Sequence, residues 1–163
     1  MPSSSGAKTR FIADAMLGSL ARKLRALGFD TSYYKSGDDS GIIGLAADEG
    51  RVILTSDRSL VSRASTRNVK AILLAGKSDG ERVSIMARAT SSMGIPLVGG
   101  APLCSLCGGA LEPLKKADVS GHVPASVEAR HRLFFRCRSC GQYYWRGSHW
   151  KKLRSLARRL QAK

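Results

Sequence analysis

Apolar positions along this chain follow two rhythms that alternate at regular intervals. Phe11, Ile12 and Ala13 form a compact apolar run, and Leu17, Leu20, Leu24 and Leu27 then recur at helical spacing. The pattern predicts a buried strand turning directly into an amphipathic helix over residues 11–27, with Gly28 as its C′ residue. Thr31, Ser32, Tyr33 and Tyr34 have the β propensity of a second strand. The polar stretch KSGDDS at 35–40 reads as a loop, and a helix follows from about Gly41 to Glu49, with Ile42, Ile43, Leu45 and Ala46 inward and Gly50 closing it. RVILTSD at 51–57 predicts a third strand, a short helix runs through Leu60 and Val61, and VKAILLA at 69–75 predicts a fourth strand. Ser78 or Asp79 can cap a last helix with Val83, Ile85, Met86 and Ala89 on its apolar side.

This βαβα order predicts an α/β fold, a doubly wound parallel sheet with helices on both faces. Pro and Gly cluster over 95–102, which divides the chain into a first domain at 10–98 and a second at 102–163, after a short flexible leader at 1–9. No apolar run approaches the length of a membrane span, so a cytoplasmic protein with no membrane partner is expected.

Acids punctuate the strand ends of the first domain. Asp14 follows the first strand, Asp38 and Asp39 the second, Asp57 the third, and Asp79 the fourth. The carboxyl ends of parallel strands line one edge of such a sheet, so these residues are candidates for a shared Mg²⁺ or Mn²⁺ site that hydrolyses a phosphodiester. That half of the chain contains no His, which argues against zinc or His-based acid–base chemistry there. Each acid also has a plainer reading: Asp14 and Asp57 as helix caps, the Asp38-Asp39 pair and Asp79-Gly80 as turns. Arg58 can orient a carboxylate, contact phosphate or simply open a helix.

The most specific motif lies further on. Cys104-x-x-Cys107 and Cys137-x-x-Cys140 are each followed by Gly, the pattern of two zinc knuckles, where glycine lets backbone amides turn toward the sulfurs. Four thiolates make a closed, structural site. The 29 residues between the pairs exceed the usual interval and imply an insertion around 115–131. Removal of zinc is expected to unfold the chain from about Cys104 onward and to leave the first domain folded.

Charge adds a partner. The chain carries a net +15, and the excess is uneven: 14 Lys/Arg against 9 Asp/Glu over residues 1–100, but 13 against 3 over 101–163. A basic module of this kind suits a polyanion, and RNA is the expected partner. Around the second knuckle, LFFRCRSCGQYYWRGSHW at 133–150 interleaves aromatics with Arg136, Arg138 and Arg146, a composition suited to stacking on unpaired bases. A basic helix follows, with Trp150, Leu153, Leu156 and Leu160 on its packing face and Lys151, Lys152, Arg154, Arg158 and Arg159 available for phosphates. Part of the aromatic set also reads as β-ribbon core, and His149 reads either as a substrate contact or as a structural residue.

FIADAMLGSLARKLRALGFD at 11–30, Asp38-Asp39, RVILTSDRSL at 51–60, the two cysteine knuckles and YYWRGSHW at 143–150 together resemble the Mut-seven carboxy-terminal RNase domain family, a PIN-like nuclease domain joined to a zinc ribbon. The resemblance covers nearly the whole chain after the leader. It implies a PIN-like α/β/α sandwich whose clustered acids bind Mg²⁺ or Mn²⁺ and cleave single-stranded RNA. Asp14 matches the first-strand acid, Asp38 or Asp39 the second, and Asp57 the acid of T-x-D-R; Asp79 lies where a fourth acid could sit, and its surroundings do not decide whether it is one. Many PIN-like nucleases carry a helical Glu as second ligand, where this chain offers an Asp pair. The expected function is a metal-dependent endoribonuclease whose zinc ribbon binds RNA. The alternative is a non-catalytic RNA-binding or ribosome-associated protein using the same basic surface on ribosomal RNA or tRNA.

Overall fold

Four short parallel strands in the order β2-β1-β3-β4 carry the N-terminal part of the chain. The computed structural model describes residues 8–161; the leader read at 1–9 falls mostly outside the described residues, and Thr9 already donates a hydrogen bond to the Pro96 carbonyl at 2.6 Å. The elements are β1 (Arg10–Ala13), α1 (Gly18–Ala26), β2 (Thr31–Tyr33), α2 (Asp39–Glu49), β3 (Arg51–Thr55), α3 (Arg58–Thr66), β4 (Ala71–Leu73) and α4 (Asp79–Ser92). β1 and β3 end where Asp14 and the Ser56-Asp57 step close their apolar runs.

Alternation along β1 and β3 divides the core between the two faces of the sheet. Phe11, Ala13, Val52 and Leu54 join Leu20 and Leu24 of α1 and Val83 and Met86 of α4. Ile12 and Ile53 point the other way, to Ile42, Ile43 and Ala46 of α2 and Leu60 and Ala64 of α3. β3 is buried along its whole length, as a central parallel strand must be. Its register places Ala13 beside Leu54, so the chain leaves both strands at the same edge.

The Asp38-Asp39 pair departs from the loop expected of it. Asp38 is the N-cap of α2, accepting from the amides of Ser40 at 3.2 Å and Gly41 at 2.8 Å, and Asp39 is the first helical residue. The cap satisfies otherwise orphaned amides and so starts the helix earlier than its apolar pattern indicates.

The second part is an antiparallel sheet, β5-β6-β7, formed by β5 (Leu111–Leu114), β6 (Phe134–Cys137) and β7 (Tyr143–Trp145). Between β5 and β6 the insertion folds as a 3-10 turn and α5 (Ala125–Arg130), and it closes a small core of Val119, Val123 and Phe134. The last element, α6 (His149–Gln161), returns to the first sheet, where Leu156 and Leu160 pack against the α1/α4 core. Trp150 and Leu153 of the same expected apolar face do not reach that core; they line a cavity beside the ribbon.

Two devices fasten the parts together. Gly28 adopts φ +87° and its carbonyl accepts from the Gly100 amide at 2.8 Å; a Cβ there would lie 2.1 Å from the Gly100 oxygen, so only glycine permits the approach. Arg25, only 7% exposed, donates to the carbonyls of Thr31 at 2.7 Å, Leu106 at 2.9 Å and Ser105 at 3.2 Å. It thereby ties α1 to the first cysteine knuckle. Arg25→Ala is expected to destabilise the protein by about 2–4 kcal/mol, because three carbonyls lose a charged donor. Thermal unfolding with limited proteolysis around residues 101–110 checks this.

Candidate functional site

Three of the candidate acids cap helices at the carboxyl edge of the parallel sheet. Asp14 Oδ1 accepts from the Met16 amide at 3.0 Å, and its Oδ2 accepts from the Thr55 hydroxyl. Thr55 is fully buried at the end of β3, and its Oγ1 also accepts from the Asp57 amide at 2.9 Å. One hydroxyl therefore links the acid leaving β1 to the acid leaving β3. Asp57 is exposed, and its two oxygens accept from the Ser59 amide at 2.7 Å and the Ser59 hydroxyl at 3.0 Å. Those bonds hold its carboxyl below the ordinary value, so it stays ionised through the physiological range. A cap uses one lone pair per oxygen, and each of these carboxylates retains acceptor capacity toward solvent.

Ion pairing divides the acids. Asp39 is bound by Arg63 at 2.8 Å. Asp79 is the first residue of α4 and not its cap, which is Ser78; its carboxylate turns back to Lys23 at 2.5 Å, Ser19 at 2.9 Å and Arg82 at 3.1 Å. Among the described residues Asp14, Asp38 and Asp57 form no ion pair, although basic residues outnumber acidic ones 27 to 12. The neutralised acids fasten helices, and the unpaired ones leave negative charge at the sheet edge.

Burial pushes the Asp79 carboxyl up, but the hydrogen bonds from Lys23, Ser19 and Arg82 outweigh it and hold it below the usual carboxylate value. A depressed folded-state value means stability that is present above the unfolded value of about 3.9 and lost as pH falls through the folded one. In Asp79→Asn the denaturation midpoint should therefore change less steeply with pH below about 4 than in the native chain. Urea titrations across that range check it.

The cysteines form a different kind of site. All four sulfurs lie within 4.8 Å of one another, and among the described residues they are the one group of three or more potential ligands so gathered; the acids are not. The Cys104–Cys140 and Cys107–Cys137 sulfurs are 3.6 and 3.4 Å apart, close to the roughly 3.8 Å between ligands of a tetrahedral zinc with Zn–S bonds of about 2.3 Å. Disulfides would require far shorter contacts, and the cysteines are free. The Gly109 amide, just past Gly108, points at the Cys107 sulfur at 3.3 Å as the glycine after the first knuckle predicts, whereas in the second knuckle the amides of Ser139 and Cys140, ahead of Gly141, point at Cys137 at 3.4 and 3.5 Å.

Titration of the cluster follows from its crowding. Burial raises the Cys104 thiol, but the Tyr144 hydroxyl at 3.0 Å and the backbone of Cys107 and Leu106 outweigh it and bring it down to about 6. The Gly109 amide draws Cys107 down, yet desolvation and the three neighbouring thiols push it up to about 12. Four negative sulfurs cannot coexist here without a cation to balance them, so the donor set and spacing fit a zinc ion.

The residues expected to contact RNA are spread over the second part, apart from Arg58 in the first. Arg58 opens α3, exposed beside Asp57. Arg138 pairs with Glu112 at 3.3 Å, Arg136 lies over the Tyr143 ring at 5.7 Å, and Arg146 over the Trp150 ring at 4.9 Å. Lys151, Lys152, Arg154, Arg158 and Arg159 are exposed along α6, and His149 starts that helix. Phe134 is buried core, whereas Trp145 is 38% exposed. Sequence reading missed Thr55 as the link between Asp14 and Asp57, Arg25 as the tie to the knuckle, and Tyr144 as a partner of Cys104. A buried threonine one residue before the Ser-Asp step carried the only local signal.

A family model described as Mut7-C RNAse domain matches residues 9–157, nearly the whole chain. The chain belongs to the Mut7-C RNAse domain family. Comparison with curated proteins and with solved structures returns no match. Membership points to a ribonuclease type of function and to RNA as partner, and the Mut7-C match spans the acid edge and the four cysteines alike. Among the described residues, no helix is long and apolar enough to cross a membrane.

Proposed function

We propose that this Mut7-C protein is a PIN-like, metal-dependent endoribonuclease acting on single-stranded or flexible RNA. Residues 10–98 form the nuclease part, and residues 102–163, the zinc ribbon and basic helix, grip the RNA. The observation that carries the reading is the set of unpaired carboxylates, Asp14, Asp38 and Asp57, at one sheet edge of a strongly basic chain. Hard oxygen donors of this kind suit Mg²⁺ or Mn²⁺, which bind through a few carboxylates and keep several waters. When bound there, such an ion polarises the phosphodiester and makes hydroxide available near neutral pH.

The chain's own residues do the rest. Thr55 holds Asp14 and Asp57 in register, and the Ser59 bonds keep Asp57 ionised and aimed outward. Arg58, exposed next to Asp57, is available to pair with an RNA phosphate. Asp79 and Asp39 are held by cations, so they serve this site by fixing α4 and α3 beside it. Cleavage of a labelled single-stranded RNA in Mg²⁺, Mn²⁺ or EDTA tests the reading. Cutting that requires either divalent ion supports it; retention of RNA with no cutting in any condition would assign the protein to RNA binding alone.

A further inference from the structure

A cavity of about 640 Å³ lies where α1, the ribbon and α6 meet, distinct from the acid edge and from the cysteine cluster. Alternation explains the apolar part of its lining, while Tyr143 and Trp145 of the opposite face reach its rim at the end of β7. One face of the ribbon, with Phe134 and Tyr143, packs on its own small core; the other turns Leu111, Phe135 and Tyr144 toward α1 and α6. Ala26 of α1 and Leu153 of α6 complete an apolar floor, and Arg22, Arg146 and Lys152 stand among the lining residues as cations. Tyr143 already has His122 stacked on it at 5.1 Å and Arg136 over it, so its ring is in use. Trp145 lines the cavity with much of its surface open.

We infer that this cavity takes one unpaired base of an RNA strand, with the neighbouring phosphates held by Arg22, Arg146 and Lys152. Its volume falls in the range of small-molecule sites, its aromatic walls suit sequence-tolerant stacking, and its cations match the charge of the backbone. Arg146 already lies over the Trp150 ring, whereas Arg22 and Lys152 make no ion pair among the described residues and are open to a phosphate. The inference rests on the ribonuclease reading and gives it a direction: Asp14 caps the 3-10 turn at Ala15–Leu17 that leads into α1, and Arg22 lies about one turn into that helix. A base in the cavity would lead the strand along α1 toward the acid edge. Tyr144 joins the cavity wall to Cys104, so the same pocket depends on an assembled cysteine cluster.

The chain has two tryptophans, Trp145 and Trp150, and both line the cavity, so intrinsic emission reports its occupancy. The zinc-loaded full chain, without added Mg²⁺ or Mn²⁺, is titrated with adenosine monophosphate, a short oligoadenylate and inorganic polyphosphate. Saturable quenching by the two adenine probes, with polyphosphate producing much less, is the expected result. Phe135→Ala should weaken oligoadenylate binding by roughly five- to 150-fold, the worth of one base stack. Ala26→Phe should abolish the quenching by filling the floor; zinc content and circular dichroism identify which variants are folded. No quenching by either adenine probe, equal quenching by polyphosphate, or native affinity in a folded variant overturns the inference. RNA cut in Mg²⁺ with a silent tryptophan signal removes the pocket and leaves the nuclease; quenching with no cutting in any metal does the reverse.

Discussion

Asp57→Asn and Asp14→Asn are each expected to lower divalent-metal-supported RNA cleavage by about a hundred- to a thousandfold, since a metal-held transition-state charge is worth several kcal/mol. Asparagine is the informative replacement. It caps a helix about as well as aspartate, so the Ser59 and Met16 amides keep an acceptor and the helix starts survive. Alanine would remove the cap as well and cost about 1 kcal/mol, mixing stability with chemistry. Thr55→Val should give a smaller loss of activity, because it leaves both carboxylates in place but releases the hydroxyl that links them. Single-turnover cleavage, with RNA binding and thermal stability measured on the same proteins, checks the set. Full activity in both Asn variants would move the catalytic site elsewhere on the chain.

Removal of a zinc ion held by the four cysteines is expected to have the largest structural effect. Structural zinc contributes about 10–16 kcal/mol of apparent folding free energy in small zinc domains, far more than the Val119, Val123 and Phe134 core can supply alone. After chelation, β5, β6, β7 and the insertion should exchange their amides freely, and protease should cut within 104–145. The α/β part should stay folded, because its two cores lie on the sheet and contain no cysteine. The expectation that everything from Cys104 onward unfolds is altered by α6, whose Leu156 and Leu160 are anchored on the α1/α4 core. The C-terminal half of that helix should therefore keep protection while Trp150 loses its setting. Hydrogen exchange with and without chelator reads this out; unchanged protection of β6 would sink the structural-zinc reading.

Much of this protein was legible in the residues themselves. The switch from β to helical periodicity at Asp14 and Asp57, and the two C-x-x-C-G knuckles, are local patterns whose geometry follows from the backbone and a few side chains. The four parallel strands and the gathering of four sulfurs came from them. What stayed out of reach depends on groups distant in sequence. Asp14 and Asp79 look alike along the chain, yet among the described residues the first forms no ion pair and the second meets Lys23, 56 residues away. The Asp38-Asp39 pair separates into a cap and an ion-paired residue only because α3 brings Arg63 alongside. Leu153 and Leu156 share one helical stripe, but the ribbon stands off at the first and the sheet core closes on the second. Periodicity specifies which face of an element is apolar; what that face meets is decided by packing across the whole chain.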